Sequence, residues 1–82
     1  MTVSRGLYRH FKGKLYFVHE VVLDVEGEGP PIERVLYEAL YGGPRSRFVR
    51  SVANFAEIVS KPEYAYEGPR FYPALFTDIS PE

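Results

Sequence analysis

The 82-residue chain has no cysteine and no tryptophan, a single methionine and two histidines. Without thiols there is no disulfide framework, no thiolate metal site and no cysteine nucleophile, and a reducing, cytoplasmic setting is the simplest expectation. No apolar run approaches the roughly 20 residues a membrane helix needs, and no apolar leader-like segment opens the chain, so no membrane partner is expected. A one-sided charge is missing too: the net charge is −1, which removes the broad positive field of a dedicated nucleic-acid binder. No serine or threonine stands in a nucleophile elbow, and "EGEGPP" lacks a phosphate-loop lysine while its acids would repel phosphate. The histidines, His10 and His19, differ in strand parity and so point to opposite faces of a sheet. No metal, no cofactor and no enzymatic activity are expected.

What the chain does have is rings, with seven Tyr and six Phe. A domain this small buries only about 60% of its unfolded surface, so a few large side chains must supply its stability. Charge is arranged in blocks. Arg5, Arg9, Lys12 and Lys14 precede any acid; Glu20, Asp24, Glu26, Glu28 and Glu33 follow without a base; Arg45, Arg47 and Arg50 form a second cationic cluster. Such blocks pair readily across strands.

Strand signals dominate the first sixty residues. "GLYRHFKGKLYFV" (6–18) reads as a hairpin turning at Phe11-Lys12-Gly13, with Gly13 left-handed, His10 facing Lys14 and Tyr8 facing Tyr16. This register puts Tyr8, His10, Tyr16 and Val18 on one face, and Leu7, Arg9, Leu15, Phe17, His19 and Val21 on the other. "DVEGEGPPIE" is a surface loop. Glu33 to Tyr41 contains good helix formers, but lacks an N-cap and lies between Pro30-Pro31 and "GGP", so it is read as a strand paired with Phe17 to Leu23. "RFVRS" is a further strand, and "VANFAEIV" a single helical turn running into a strand at Glu57 to Val59. From Ser60 onward, prolines alternate with rings, which predicts an extended segment wrapping the domain or docking on a partner.

The landmarks "GLYRHFKGKLYFV", "VLYEALY", "FVRSVANFAEIV" and "GPRF" resemble, in the same order, those of a family of short bacterial and phage proteins catalogued as domain of unknown function 1653. Matching positions include Gly6, Tyr8, Arg9, His10, Lys12, Gly13, Tyr16, Tyr37, Tyr41, Arg50, Phe55, Arg70 and Phe71. The resemblance covers residues 6 to 71 and implies a small SH3-like β-barrel; it carries no activity. The chain departs from the family pattern at "LDVEGEGPPIE", which lacks a His-Ser-Glu-Thr stretch, and at Phe48, Ser51 and Asn54, which replace Trp, Pro and Met.

The fold expectation is therefore mostly β: an SH3-like barrel of about five antiparallel strands over residues 1–71, with one short helical turn, and an aromatic C-terminal extension over 72–82. Tyr16, Tyr37, Phe55 and Val59 are expected in the core, and Arg50 is expected either to pair with Glu57 or Glu38 or to meet a ligand. The binding surface is expected at Tyr8, His10, Lys12, Tyr41, Arg45, Arg47, Phe48 and Arg50, where rings and cations mix. The expected function is a non-catalytic module that binds another protein, which the resemblance casts as a phage or accessory product engaging a host cytosolic factor; the alternative is a weak single-stranded nucleic-acid binder using the same cations. Leu15 and Phe17, unusually apolar for the resemblance, suggest cover by the tail, in one chain or across a homodimer.

Overall fold

The computed structural model describes residues 3–42, 44 and 46–74. Among the described residues, seven strands form two antiparallel sheets: β1 (Gly6–His10), β2 (Leu15–Asp24), β3 (Ile32–Ala39), β4 (Arg47–Ser51), β5 (Ile58–Lys61), β6 (Tyr66–Pro69) and β7 (Phe71–Pro73). The larger sheet has the order β4-β3-β2-β1-β7, and β5 pairs with β6 in a separate ribbon. One helical turn, α1 (Val52–Phe55), follows β4, and a 3₁₀ turn (Pro62–Tyr64) joins β5 to β6.

The hairpin forms in the expected register, Tyr8 opposite Tyr16. His10 N–H donates to the Lys14 carbonyl at 2.9 Å and Gly13 N–H to the His10 carbonyl at 2.7 Å, a tight reversal that Gly13 permits at φ +107°. β3 is a strand paired along β2 in spite of its helix formers, because alternation places Val35, Tyr37 and Ala39 together on a buried face.

Two expectations need correction. A bulge at His19 adds one residue to β2: Val18 faces Tyr37, whereas Glu20, not His19, faces Leu36. The extra residue flips the parity beyond it, so Val21 packs on the core instead of sharing the face of Phe17 and His19. The barrel, too, is not closed. β4 and β7 are the two edges of the larger sheet, and the residues after α1 pair locally as β5 and β6 instead of bridging those edges.

The core lies on one face of the larger sheet. Val18 and Val35 are fully buried, and Phe55 is 1% exposed beneath α1. Phe55 stacks on Phe71 with centroids 4.2 Å apart and meets Tyr8 and Tyr37 edge-on at 5.3 and 5.5 Å. Tyr37 and Val59 are buried as expected, while Tyr16 is half-buried against this cluster. A single helical turn is unstable alone; here the Ser51 hydroxyl accepts the Asn54 N–H at 3.1 Å and Phe55 anchors the turn in the core.

β7 pairs with β1, His10 opposite Phe71, and thereby carries the chain from "GPRF" onto the sheet edge. Residues 75–82, most of the extension expected to cover Leu15 and Phe17, lie outside the described residues. Among the described residues, no helix is long and apolar enough to cross a membrane.

Candidate functional site: a cationic depression at the hairpin tip

At the end of the sheet formed by the β1–β2 turn lies an open depression of about 370 Å³. Its cations come from separate elements: Lys12 from the hairpin turn, Arg50 from β4, Lys61 from β5, and Arg70 from the residue between β6 and β7. His10, Phe11 and Tyr64 supply rings, and Glu63 is the one acid of the lining.

Strand parity delivers Arg50. It lies opposite Val35, on the core face, so its guanidinium emerges at the mouth of the core, 5.4 Å from the centre of the Phe71 ring. There Nε donates to the Tyr37 hydroxyl at 3.1 Å and Nη1 to Asn54 Oδ1 at 2.5 Å. Arg70 is fixed from the other side: its Nε donates to the Asn54 carbonyl at 3.2 Å and its Nη2 to Glu57 Oε1 at 2.6 Å. Both side chains are thus oriented by α1 and the residues after it. A guanidinium has five N–H donors, so each retains donors beyond those bonds.

His10 reports the local field. Its Nδ1 accepts the Lys12 N–H at 3.1 Å, which requires that nitrogen to be unprotonated. Burial against Phe71, followed by the positive charges of Arg50, Lys12 and Arg70, pushes its pKa down to about 4. The ring is therefore neutral at pH 7. Beside it, Phe11 stacks on Tyr66 at 5.9 Å and meets Tyr64 edge-on at 5.5 Å, with the Lys61 ammonium 5.9 Å from the Phe11 centroid.

The expected binding residues separate into groups. His10, Lys12 and Arg50 come together in the depression. Tyr8 lies outside the depression, partly buried against the core beside a separate hollow lined by Val3, Ser4 and Phe55, and its hydroxyl exchanges hydrogen bonds with the Ser4 backbone. Tyr41 shares a 2.5 Å hydroxyl contact with Tyr16, whose pKa is raised by burial first and by this contact second. Phe48 packs at 5.7 Å on Tyr37 while remaining 43% exposed. Arg47 takes the opposite parity and sits 3.6 Å from Glu38 on the other face. Arg45 lies outside the described residues. Arg50 pairs with neither Glu57 nor Glu38: Glu57 holds Arg70, and Glu38 holds His19 and Arg47. His10 and His19 do face apart, His19 Nε2 lying 2.8 Å from Glu38.

Lys61, Tyr64 and Arg70 were not anticipated as site residues. They reach the depression only through the folding back of β6 and β7, although "GPRF" had marked Arg70 as a landmark without giving it a role. Among the described residues, no group of three or more His, Cys, Asp or Glu side chains is placed to hold a metal ion.

These features define a class: a small, mostly β protein in which an open antiparallel sheet carries a ring-walled cationic depression at one end. Residues 6–73 match the model of a family described as "Protein of unknown function (DUF1653)", and the chain belongs to that family. The match runs through β7, the strand that brings Arg70 to the depression. No curated protein and no solved structure matches the chain.

Proposed function

We propose that this protein is a non-catalytic module that binds another protein through the depression and the rings beside it. The observation that supports this most is the convergence of Lys12, Arg50, Lys61 and Arg70 on one solvent-open hollow, two of them locked by hydrogen bonds before any ligand arrives. Pre-oriented arginines beside exposed rings are the residue types that dominate binding energy at protein interfaces. Catalysis is disfavoured by the same geometry. With a pKa of about 4 and Nδ1 already engaged, His10 is a weak general base at neutral pH.

Single-stranded nucleic acid is the competing ligand, since Phe11 and Tyr64 stand next to Lys12 and Lys61. Net charge favours a protein: the molecule as a whole is −1, and Glu57 and Glu63 stand among the cations. The experiment is affinity capture on the immobilised chain, with and without nuclease and across a salt series. Binding through rings and a few ion pairs predicts a nuclease-resistant protein whose retention weakens only moderately with salt. Capture that vanishes with nuclease would assign the surface to nucleic acid, whose many phosphate contacts make retention fall steeply with salt.

A further inference from the structure

We infer that the depression is a receptor for the carboxylates of an acidic peptide segment, with Arg50 and Arg70 as its fixed donors, Lys12 and Lys61 as its outer charges, and Phe11 and Tyr64 as a wall for the neighbouring side chain. This deepens the protein-binding reading and rests on it.

Charge balance indicates the ligand. Four cations line the hollow against the single acid Glu63, and the exposed Glu57 outside the lining pairs with Arg70, so an excess of about two positive charges faces solvent. One or two carboxylates balance that excess, whereas a run of phosphates would exceed it. Donor geometry agrees. The donors are guanidinium and ammonium groups, and planar guanidinium edges match carboxylates well. A phosphate cradle usually adds a cluster of backbone N–H groups or the N-terminus of a long helix. The nearest helix, α1, spans only Val52–Phe55, and its Asn54 N–H is already taken by Ser51.

Geometry also singles out a reporter. His10 lines the hollow and is surrounded by Lys12 from its own turn, Arg50 from β4 and Arg70 beside β7, with Lys61 and Glu63 on the rim. An anion seated among these groups offsets the positive field that opposes protonation of the ring. Ligand binding must therefore raise the His10 pKa.

The test is an NMR titration of the full chain with a capped, glutamate-rich peptide carrying one tyrosine. The same peptide with glutamine for glutamate, inorganic phosphate and a single-stranded oligonucleotide of equal charge serve as comparisons. The acidic peptide should move the amide signals of residues 10–12, 61–64 and 70, and raise the His10 midpoint from about 4 by at least about half a unit. The glutamine peptide should do neither. Replacing the two rim charges, Lys12→Met with Lys61→Met, should weaken binding about fivefold, as expected for solvent-exposed ion pairs, while leaving the rest of the spectrum in place. Equal binding of the glutamine peptide, tighter binding of phosphate or of the oligonucleotide, shifts confined to other surfaces, or an unmoved His10 midpoint would each overturn the inference. Failure of the peptide while a nuclease-resistant protein is still captured would remove the carboxylate assignment alone. Nuclease-sensitive capture would remove the protein-binding reading itself.

Discussion

The two faces of the larger sheet are built on different principles. The core face is held by rings: Phe55, Phe71, Tyr37, Tyr8 and Tyr16 contact one another under α1, and charge enters only at the mouth, with Arg50. The opposite face is half-buried and held by charge. Glu38, 6% exposed, lies between His19 at 2.8 Å and Arg47 at 3.6 Å, and the Arg5 guanidinium covers Phe17 at 5.2 Å. Non-directional burial therefore supplies the stability on one side. On the other, a few directed contacts keep a carboxylate tolerable inside the protein. The hollow lies where the first kind of surface ends and charges begin.

The largest expected effect tests the ring-built face. Phe55→Ala removes a side chain that is 1% exposed and in contact with three other rings, and should lower unfolding free energy by about 3–5 kcal/mol in urea titrations. Phe17→Ala, on the opposite face under a single guanidinium, should cost only about 1 kcal/mol. Equal losses would mean that the second face is as tightly covered as the first.

Next in size is the charge-built face. Glu38→Ala strips the acceptor from His19 and Arg47 and should cost about 1–3 kcal/mol, because the His19 donor is left half-buried without its carboxylate. The variant Glu38→Gln keeps an acceptor and should recover part of that loss. If both variants were neutral, the buried carboxylate would have no structural part in the sheet.

The third test concerns the boundary, where His10 titrates. Its folded pKa, about 4, lies below the ordinary histidine value of about 6.5, so between these values the unfolded chain binds more protons than the folded one. Stability should consequently be complete above about pH 6.5, fall as pH drops toward 4, and show no further histidine contribution below that. Substitution His10→Gln removes this titration, so the difference between the stability profiles of the two proteins should slope across that window and flatten outside it. A difference independent of pH would show that the ring is not held neutral by its surroundings.

Much of this architecture was legible in residues that interact locally. The Tyr8–Tyr16 register followed from a short turn with a glycine at the needed place, and β3 followed from prolines on one side and alternating burial. The helical turn ending at Phe55 was legible from the same kind of local signal. What was not legible depends on partners distant in sequence. A bulge is a property of a pair of strands, so the lone alternation of β2 could not announce that Val21 would change face. Closure of the sheet turns on whether β5 pairs locally or across the molecule, and short strands leave both open. The site divides in the same way. His10, Lys12 and Arg50 were legible as a cationic, aromatic cluster, whereas Lys61, Tyr64 and Arg70 join them only because β7 returns to pair with β1.

The smallest predicted effects separate the two turns that frame the hollow. At the hairpin tip, Gly13 adopts φ +107°, a region that disfavours any residue with a Cβ, yet a Cβ there would touch nothing within 4 Å. Gly13→Ala should therefore cost about 1 kcal/mol through the backbone alone. Across the hollow, Ala65 ends the 3₁₀ turn in the left-handed region at φ 51°, with its N–H bonded to the Pro62 carbonyl at 2.9 Å. There a glycine relieves steric strain but frees the unfolded chain, so Ala65→Gly should change stability by less than about 0.5 kcal/mol, in the stabilising direction. The pair isolates backbone conformation from contact, because neither substitution removes a packed side chain of any size. Both loops carry residues of the depression, Lys12 on one and Tyr64 on the other, so each variant also reveals whether a small loosening of one wall weakens ligand binding. Loss of stability at Gly13 without loss of acidic-peptide affinity would place the ordering of the site in Arg50, Arg70 and their partners instead of in the turns.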